Sequence, residues 1–326
     1  MIAAGEHLNP KNFYVTNPNL GRSVSQSWLE SKLKEKQAGD KADLNVFLAK
    51  HLNIENGMGL RSDSWAGAEF WEQGADPAIT LADIIARCEV IIVGLDGGGL
   101  DDLYGLTVLG RESENKAAPV EYDETGTLVR VKRWLSWSHA WAHKIVLERR
   151  KSIAGKLQDL ETAGELTILD DGALSETGLP ADIAAILEVI VQIRDAGLLC
   201  CVAVDPAGLG EMVDALAAVD IVEENKPLGR DYIIGAPQGY AMMNALKTAE
   251  RKLANGTLLH ADQALMDWCV ANLKIEATAT AIRATKQSAG DAKIDAAMAL
   301  FNAVTIMATN PEACRSMYET QGLRFI

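Results

Sequence analysis

Four aspartates stand where a folded chain could gather carboxylates: Asp96, Asp102, Asp205 and Asp295. Asp96 closes the apolar run 90–95 (VIIVGL) and is followed by Gly97, Gly98 and Gly99, while Asp102 precedes a second such run, 104–109. Asp205 ends the run 198–204 (LLCCVAV), and Asp295 falls in the first turn of an apolar helical stretch, 292–307. Short runs of this composition read as buried strands. A carboxylate at the end of a buried strand is costly to keep ionised unless a cation pairs with it. Hard oxygen donors without soft ligands among them suit Mg²⁺ or Mn²⁺ rather than zinc. Two such ions about 3.5–4 Å apart can activate a water and stabilise the leaving oxygen of a phosphodiester. Each aspartate also has a structural use. Asp96 and Asp102 suit turns, Asp205 before Pro206 can initiate one, and Asp295 complements a helix dipole. Convergence on one crevice is what favours the chemical use.

The elements needed to bring them together are legible. A short helix over 79–86 leads into the first strand, and 129–137 (VRVKRWLSW) alternates well enough for a third strand after the second. Residues 166–169 read as a short strand, 182–196 as an amphipathic helix between Pro180 and Gly197, 211–218 as a helix and 220–223 as a short strand. A further helix covers 239–254. Antiparallel strands followed by alternating helices and strands imply an α/β fold, a mixed sheet with helices on its faces. In such sheets ligands bind outside the strand ends. Residues 1–77 read as a small, mostly polar helical segment, with a helix over 23–36, a second short apolar-periodic stretch over 43–52, and Trp65 and Trp71 anchoring it onto the larger domain, 78–326.

The 326 residues are 48% hydrophobic and 23% charged, an ordinary globular composition, with a net charge of −14 that argues against gripping nucleic acid by bulk charge. A local basic surface around an acidic site remains compatible with it. No apolar run approaches the roughly 18 residues of a membrane span, and the first residues lack the pattern of a secretory signal. The five cysteines show no metal-binding spacing, so a reducing cytoplasm without disulfides is expected. No GxxxxGK[ST] phosphate loop occurs, so an ATP-driven motor is not encoded in these residues. His139 and His143 are four apart and could face one way on a helix, but no third zinc ligand accompanies them. The basic stretch 130–151, interleaved with Trp134, Trp137 and Trp141, could meet a DNA backbone.

Five stretches, in order, resemble the nuclease domain of the large terminase subunit of tailed bacteriophages, the HK97-type family: NPNLG at 17–21 with SVSQSWL after it, FLAKHLN at 47–53, GLDGGGLDDLYGLTVLGR from Gly94, VAVDPAG around Asp205, and KIDAAMAL from Lys293. The resemblance runs from about Asn17 to Ala308. It implies an RNase H-like fold and a metal-dependent endonuclease that cuts concatemeric viral double-stranded DNA during packaging, in the cytoplasm of the bacterial host. The small terminase subunit and the portal protein are the partners it implies. By position, Asp96, Asp205 and Asp295 would be the catalytic carboxylates on two Mg²⁺ or Mn²⁺ ions, with Asp102 an auxiliary ligand. Lys132, Arg133, Arg149, Arg150 and Lys286 are the DNA-binding candidates. The 1–77 segment would connect to an ATPase domain that this chain lacks, so an excised domain or a truncated gene product is expected. DGGG replaces the family's more usual serine- and threonine-rich turn.

Two other readings compete. A phosphotransferase of the sugar-kinase and actin-like group also uses an Asp-Gly-Gly turn after its first strand, but it needs a second glycine-rich phosphate turn, and none is found. A non-catalytic packaging module with a vestigial acidic site would show no metal-dependent cutting. A dinucleotide-binding fold is weaker still, because 97–99 lack the GxGxxG spacing.

Overall fold

The computed structural model describes residues 6–39, 41–52, 63–113, 120–122, 125, 128–130, 132–206, 210–222, 232–286 and 292–312. Two helices come first, α1 (Gln26–Gln37), capped by the Ser25 hydroxyl, and α2 (Lys41–Leu52). They close a small core of their own around Phe13, Leu29, Leu33, Phe47, Leu48 and Leu52. Trp65 and Trp71 flank 3₁₀ turns and belong instead to the main core. Trp65 meets Phe301 edge-on at 5.0 Å, and Trp71 stacks on His260 at 3.8 Å.

Helix α3 (Leu81–Arg87) begins at a capping box made by Thr80 and Asp83 and runs straight into β1 (Cys88–Gly97). Strand β2 (Tyr104–Glu112) returns antiparallel to it. A separate hairpin, β3 (Val120–Tyr122) and β4 (Leu128–Arg130), precedes β5 (Trp134–His143). The single strand expected over 129–137 is therefore divided. Its first residues pair in the hairpin, and the sheet strand starts at Trp134 and runs on to His143. His139 and His143 consequently lie on a strand rather than a helix, still on one face because side chains alternate with period two.

Next come α4 (Ile145–Arg149), α5 (Ala154–Thr162), β6 (Leu166–Leu169), α6 (Ala181–Asp195), β7 (Leu199–Val204) and α7 (Gly210–Ala218). The strand expected at 220–223 does not form at its described positions. Asp220 takes a left-handed φ of 61°, and the Ile221 amide turns back to the Leu216 carbonyl at 2.9 Å, ending α7 in a turn. Glu223 lies outside the described residues. The strand beside β7 is instead β8 (Ile233–Gly235). The chain closes with α8 (Met243–Ala254), β9 (Leu258–His260), α9 (Ala264–Asn272), the hairpin β10 (Leu273–Ala277) and β11 (Ile282–Lys286), and α10 (Asp295–Met307).

Seven strands form one mixed sheet in the order β6-β5-β2-β1-β7-β8, with β9 pairing the start of β5. It is an RNase H-like α/β sheet, covered on both sides. In β1, Val90 and Ile92 face a core shared with α8, α9 and α10, while Ile91, Val93 and Leu95 face α6 and α7. Two glycines let α10 lie directly on the sheet. A Cβ on Gly94 would sit 1.9 Å from the Ala299 carbonyl oxygen, and one on Gly105 would sit 2.6 Å from the Ala296 amide nitrogen. Among the described residues no helix is long and apolar enough to cross a membrane, and Cys88, Cys200, Cys201 and Cys269 are buried and outside any disulfide.

Candidate functional site

The alternation that buries Val90 and Ile92 beneath α10 also turns Asp96 to that side. Strand β7 runs parallel to β1, with Ala203 beside Gly94 and Val204 beside Leu95, so Asp205 leaves the sheet at the same end. Helix α10, pressed onto β1 and β2, brings its first residue, Asp295, over that end. Asp96, Asp102, Asp205 and Asp295 thus line one cavity of about 590 Å³, together with Gly97, Gly98, Gly99, Gln238, Lys286 and Met298. Four carboxylates separated by up to two hundred residues meet there.

Burial and the mutual repulsion of these groups govern the electrostatics. Asp96 is half-buried and accepts no hydrogen bond among the described residues; burial first, then Asp295, Asp205 and Asp102, push its carboxyl up to about 8. Asp295 is 6% exposed, and its carboxyl is also raised, by burial and then by Asp102, against the opposing pull of Lys293, its own backbone amide and Lys286. Its Oδ2 is buried without a hydrogen-bond partner. An unpartnered buried carboxylate oxygen facing further carboxylates is a site short of positive charge. The donor chemistry, oxygen only, fits a hard divalent cation. Among the described residues no three His, Cys, Asp or Glu side chains are grouped closely enough to hold a metal ion as they stand. The carboxylates share a cavity rather than a finished cage.

The five basic candidates divide by position. Lys286 ends β11 at the cavity, with its Nζ 4.0 Å from Asp102 Oδ2. Arg150 pairs with Asp101 at 2.8 Å, on the turn beside the cavity, and Arg149 is exposed next to it. Lys132 and Arg133 are not brought there. Lys132 pairs with Glu89 at 2.6 Å, and Arg133 pairs at 2.7 Å with Glu112, a buried carboxylate that Arg87 also holds. Glu89 lies seven residues before Asp96 along β1, roughly 23 Å away at the opposite end of the strand. The tryptophans between these bases do not form an exposed stacking face. Trp134 and Trp141 are core residues, and Trp137 stacks on His139 at 5.9 Å. His139 bonds Thr167 at 2.9 Å, and burial holds its imidazole down at about 4. His143 faces Asp182 at 3.5 Å across a second cavity of about 560 Å³ that shares Gly98 with the first.

Sequence reasoning missed three polar residues at this end. Gln238 lines the cavity, and its Nε2 donates to Asn302 Oδ1 at 2.9 Å. Asn302, fully buried on α10, donates in turn to the Leu95 carbonyl at 2.8 Å. Lys293, which in the sequence simply opens the KIDAAMAL stretch, is 3% exposed and donates to Asp102. A polar residue inside so apolar a helix as 295–307 was the available signal for Asn302. Nothing local marked Gln238.

Comparison with known proteins agrees with this architecture. The crystal structure of the HK97 bacteriophage large terminase superposes with a TM-score of 0.51 at 18% identity, over 93% of this chain and 55% of that one. Protein YmfN of Escherichia coli K12 is 25% identical over 312 residues, covering 91% of this chain and 59% of the relative. The chain therefore spans somewhat over half the length of each. The family model described as terminase large subunit, endonuclease domain, matches residues 142–311, a span that includes Asp205 and Asp295 and begins after Asp96 and Asp102. With just over half of its residues inside that match and the sheet built as described, the chain belongs to the family of terminase large subunit endonuclease domains.

Proposed function

We propose that the chain is a metal-dependent endonuclease that cuts concatemeric viral double-stranded DNA during genome packaging. The observation that carries this reading is the buried, unpartnered Asp295 Oδ2 lining one cavity with Asp96 and Asp205. Asp96, Asp205 and Asp295 would hold two Mg²⁺ or Mn²⁺ ions. When bound, the ions supply the charge that eases deprotonation of an attacking water and stabilises the leaving oxygen.

The chain's own residues perform the remaining tasks. Burial and crowding raise the carboxyls of Asp96 and Asp295, so a cation that binds there displaces protons from these two. Gln238, whose amide nitrogen donates to Asn302, lines the cavity beside them. Lys286 at the cavity and exposed Arg149 beside the turn offer charge to the DNA backbone, with Arg150 and the ion-paired Lys132 and Arg133 in lesser roles.

Residues 1–77 would connect to a preceding ATPase domain, their last stretch, with Trp65 and Trp71, already seated in the nuclease core. Work in the host cytoplasm, with the small terminase subunit and the portal protein, belongs to the same proposal.

The test is plasmid cleavage with Mn²⁺ or Mg²⁺, comparing wild type with Asp96→Ala and Asp205→Ala and with an EDTA control. Cutting by wild type alone, with both variants folded, supports the proposal. Equal behaviour of all three, with no cation binding by calorimetry, would replace it with the non-catalytic module.

A further inference from the structure

A nearly fully buried lysine lies two residues before Asp295. Lys293 Nζ donates to Asp102 Oδ1 and, at 3.0 Å, to the backbone carbonyl of Asp101. Asp102 Oδ1 also accepts from the Leu103 amide at 3.2 Å, while its Oδ2 faces Lys286 at 4.0 Å. Arg150 holds the neighbouring Asp101. The turn after β1 is thus fastened by side chains from the start of α10, the end of β11 and the residue after α4. It also lies against the helix, since a Cβ on Gly97 would be 3.3 Å from Asp295 Oδ1. Asp102 therefore differs from its neighbours in the cavity. Both of its oxygens face cationic side chains, whereas Asp295 Oδ2 has no partner and Asp96 accepts no hydrogen bond.

We propose that Asp102 is the counter-ion of Lys293 rather than a metal ligand, and that Lys293 is a positioning residue latching the turn of β1 to the first turn of α10. The latch sets the separation of Asp96 and Asp295. Its effect on cleavage rests on the nuclease reading above, but the ion pair itself does not. Asp102 cannot serve both purposes. Turned toward a divalent cation, it would leave a buried ammonium with one carbonyl oxygen for company, and an uncompensated buried charge is strongly destabilising. Lys293 also removes one of four negative charges from the cavity without occupying space between the other three.

The experiment compares wild type, Asp102→Asn, Lys293→Met and the double variant, with Asp96→Asn as the ligand control. Mn²⁺ binding is read by calorimetry, thermal unfolding in EDTA, and plasmid cleavage against DNA concentration. Asp102→Asn is expected to keep Mn²⁺ affinity within about threefold of wild type, while Asp96→Asn loses it. Lys293→Met is expected to lower kcat roughly 10–100-fold with KM for DNA unchanged, and adding Asp102→Asn should recover part of that loss. In EDTA the Tm losses of the two single variants should be non-additive, as for residues in contact.

Loss of Mn²⁺ affinity in Asp102→Asn equal to that in Asp96→Asn would overturn the proposal. So would strictly additive Tm losses. If Lys293→Met does not fold, Asp102→Asn, a change at a half-exposed residue, still separates counter-ion from ligand. If wild type neither binds Mn²⁺ nor cuts, the nuclease reading fails, and the Tm cycle in EDTA still decides the latch.

Discussion

Asp96 shows how the site sets its own stability. Its carboxyl is raised to about 8 from an ordinary value near 4, so the folded chain holds a proton that the unfolded chain releases. That contribution is fully present below pH ~4 and is lost as pH rises through about 8. Metal-free protein should therefore lose Tm between pH 5 and 8.5, and Asp96→Asn should flatten the profile, raising Tm at pH 8 by a few degrees while abolishing cleavage. Millimolar Mn²⁺ at pH 8 should raise Tm in wild type and not in that variant. His139 has the opposite sign. Its imidazole is held at about 4 by burial, so the unfolded chain takes up a proton first, and stability falls as pH drops from about 6.5 toward 4. Urea unfolding at pH 7 and pH 5 should show this loss in wild type and much less of it in His139→Gln.

At the scale of elements, the decisive contact is α10 against β1 and β2. Gly94→Ala would drive a methyl group against the Ala299 carbonyl, a backbone atom that cannot swing aside. The expected cost is about 1–3 kcal/mol or more, measured by urea denaturation, with cleavage falling further than stability because Asp295 moves with the helix. Most of these elements are readable in order from composition and period. The mis-read ones have physical causes. Residues 129–137 alternate throughout, and alternation cannot reveal that the first of them pair in a local hairpin. Residues 220–223 look extended, yet a left-handed Asp220 satisfies the end of α7 there. The β10–β11 hairpin that carries Lys286 has half-exposed strands and weak alternation, so it gives little signal.

Over the whole molecule, charge is sorted along the strands. The end holding Asp96 concentrates carboxylates with Lys286, Arg149, Arg150 and Lys293 around them, while the opposite end uses Lys132, Arg133, Arg87 and Arg111 to neutralise Glu89 and Glu112. Lys286→Ala should weaken DNA binding and lower its salt slope by about one, read by fluorescence anisotropy at several salt concentrations. Lys132→Ala, at a residue already paired with Glu89, should change both by less than Lys286→Ala does. By itself the sequence determined the α/β class, the strands that end in Asp96 and Asp205, and the helix that begins at Asp295, because periodicity and end residues are local properties. Only the tertiary structure decided that these aspartates share a cavity, that Asp102 is held by a buried lysine, and that two of the five basic candidates, Lys132 and Arg133, lie at the far end. Those outcomes depend on strand order and on how closely α10 can approach the sheet, and both are set by packing between residues far apart in the chain.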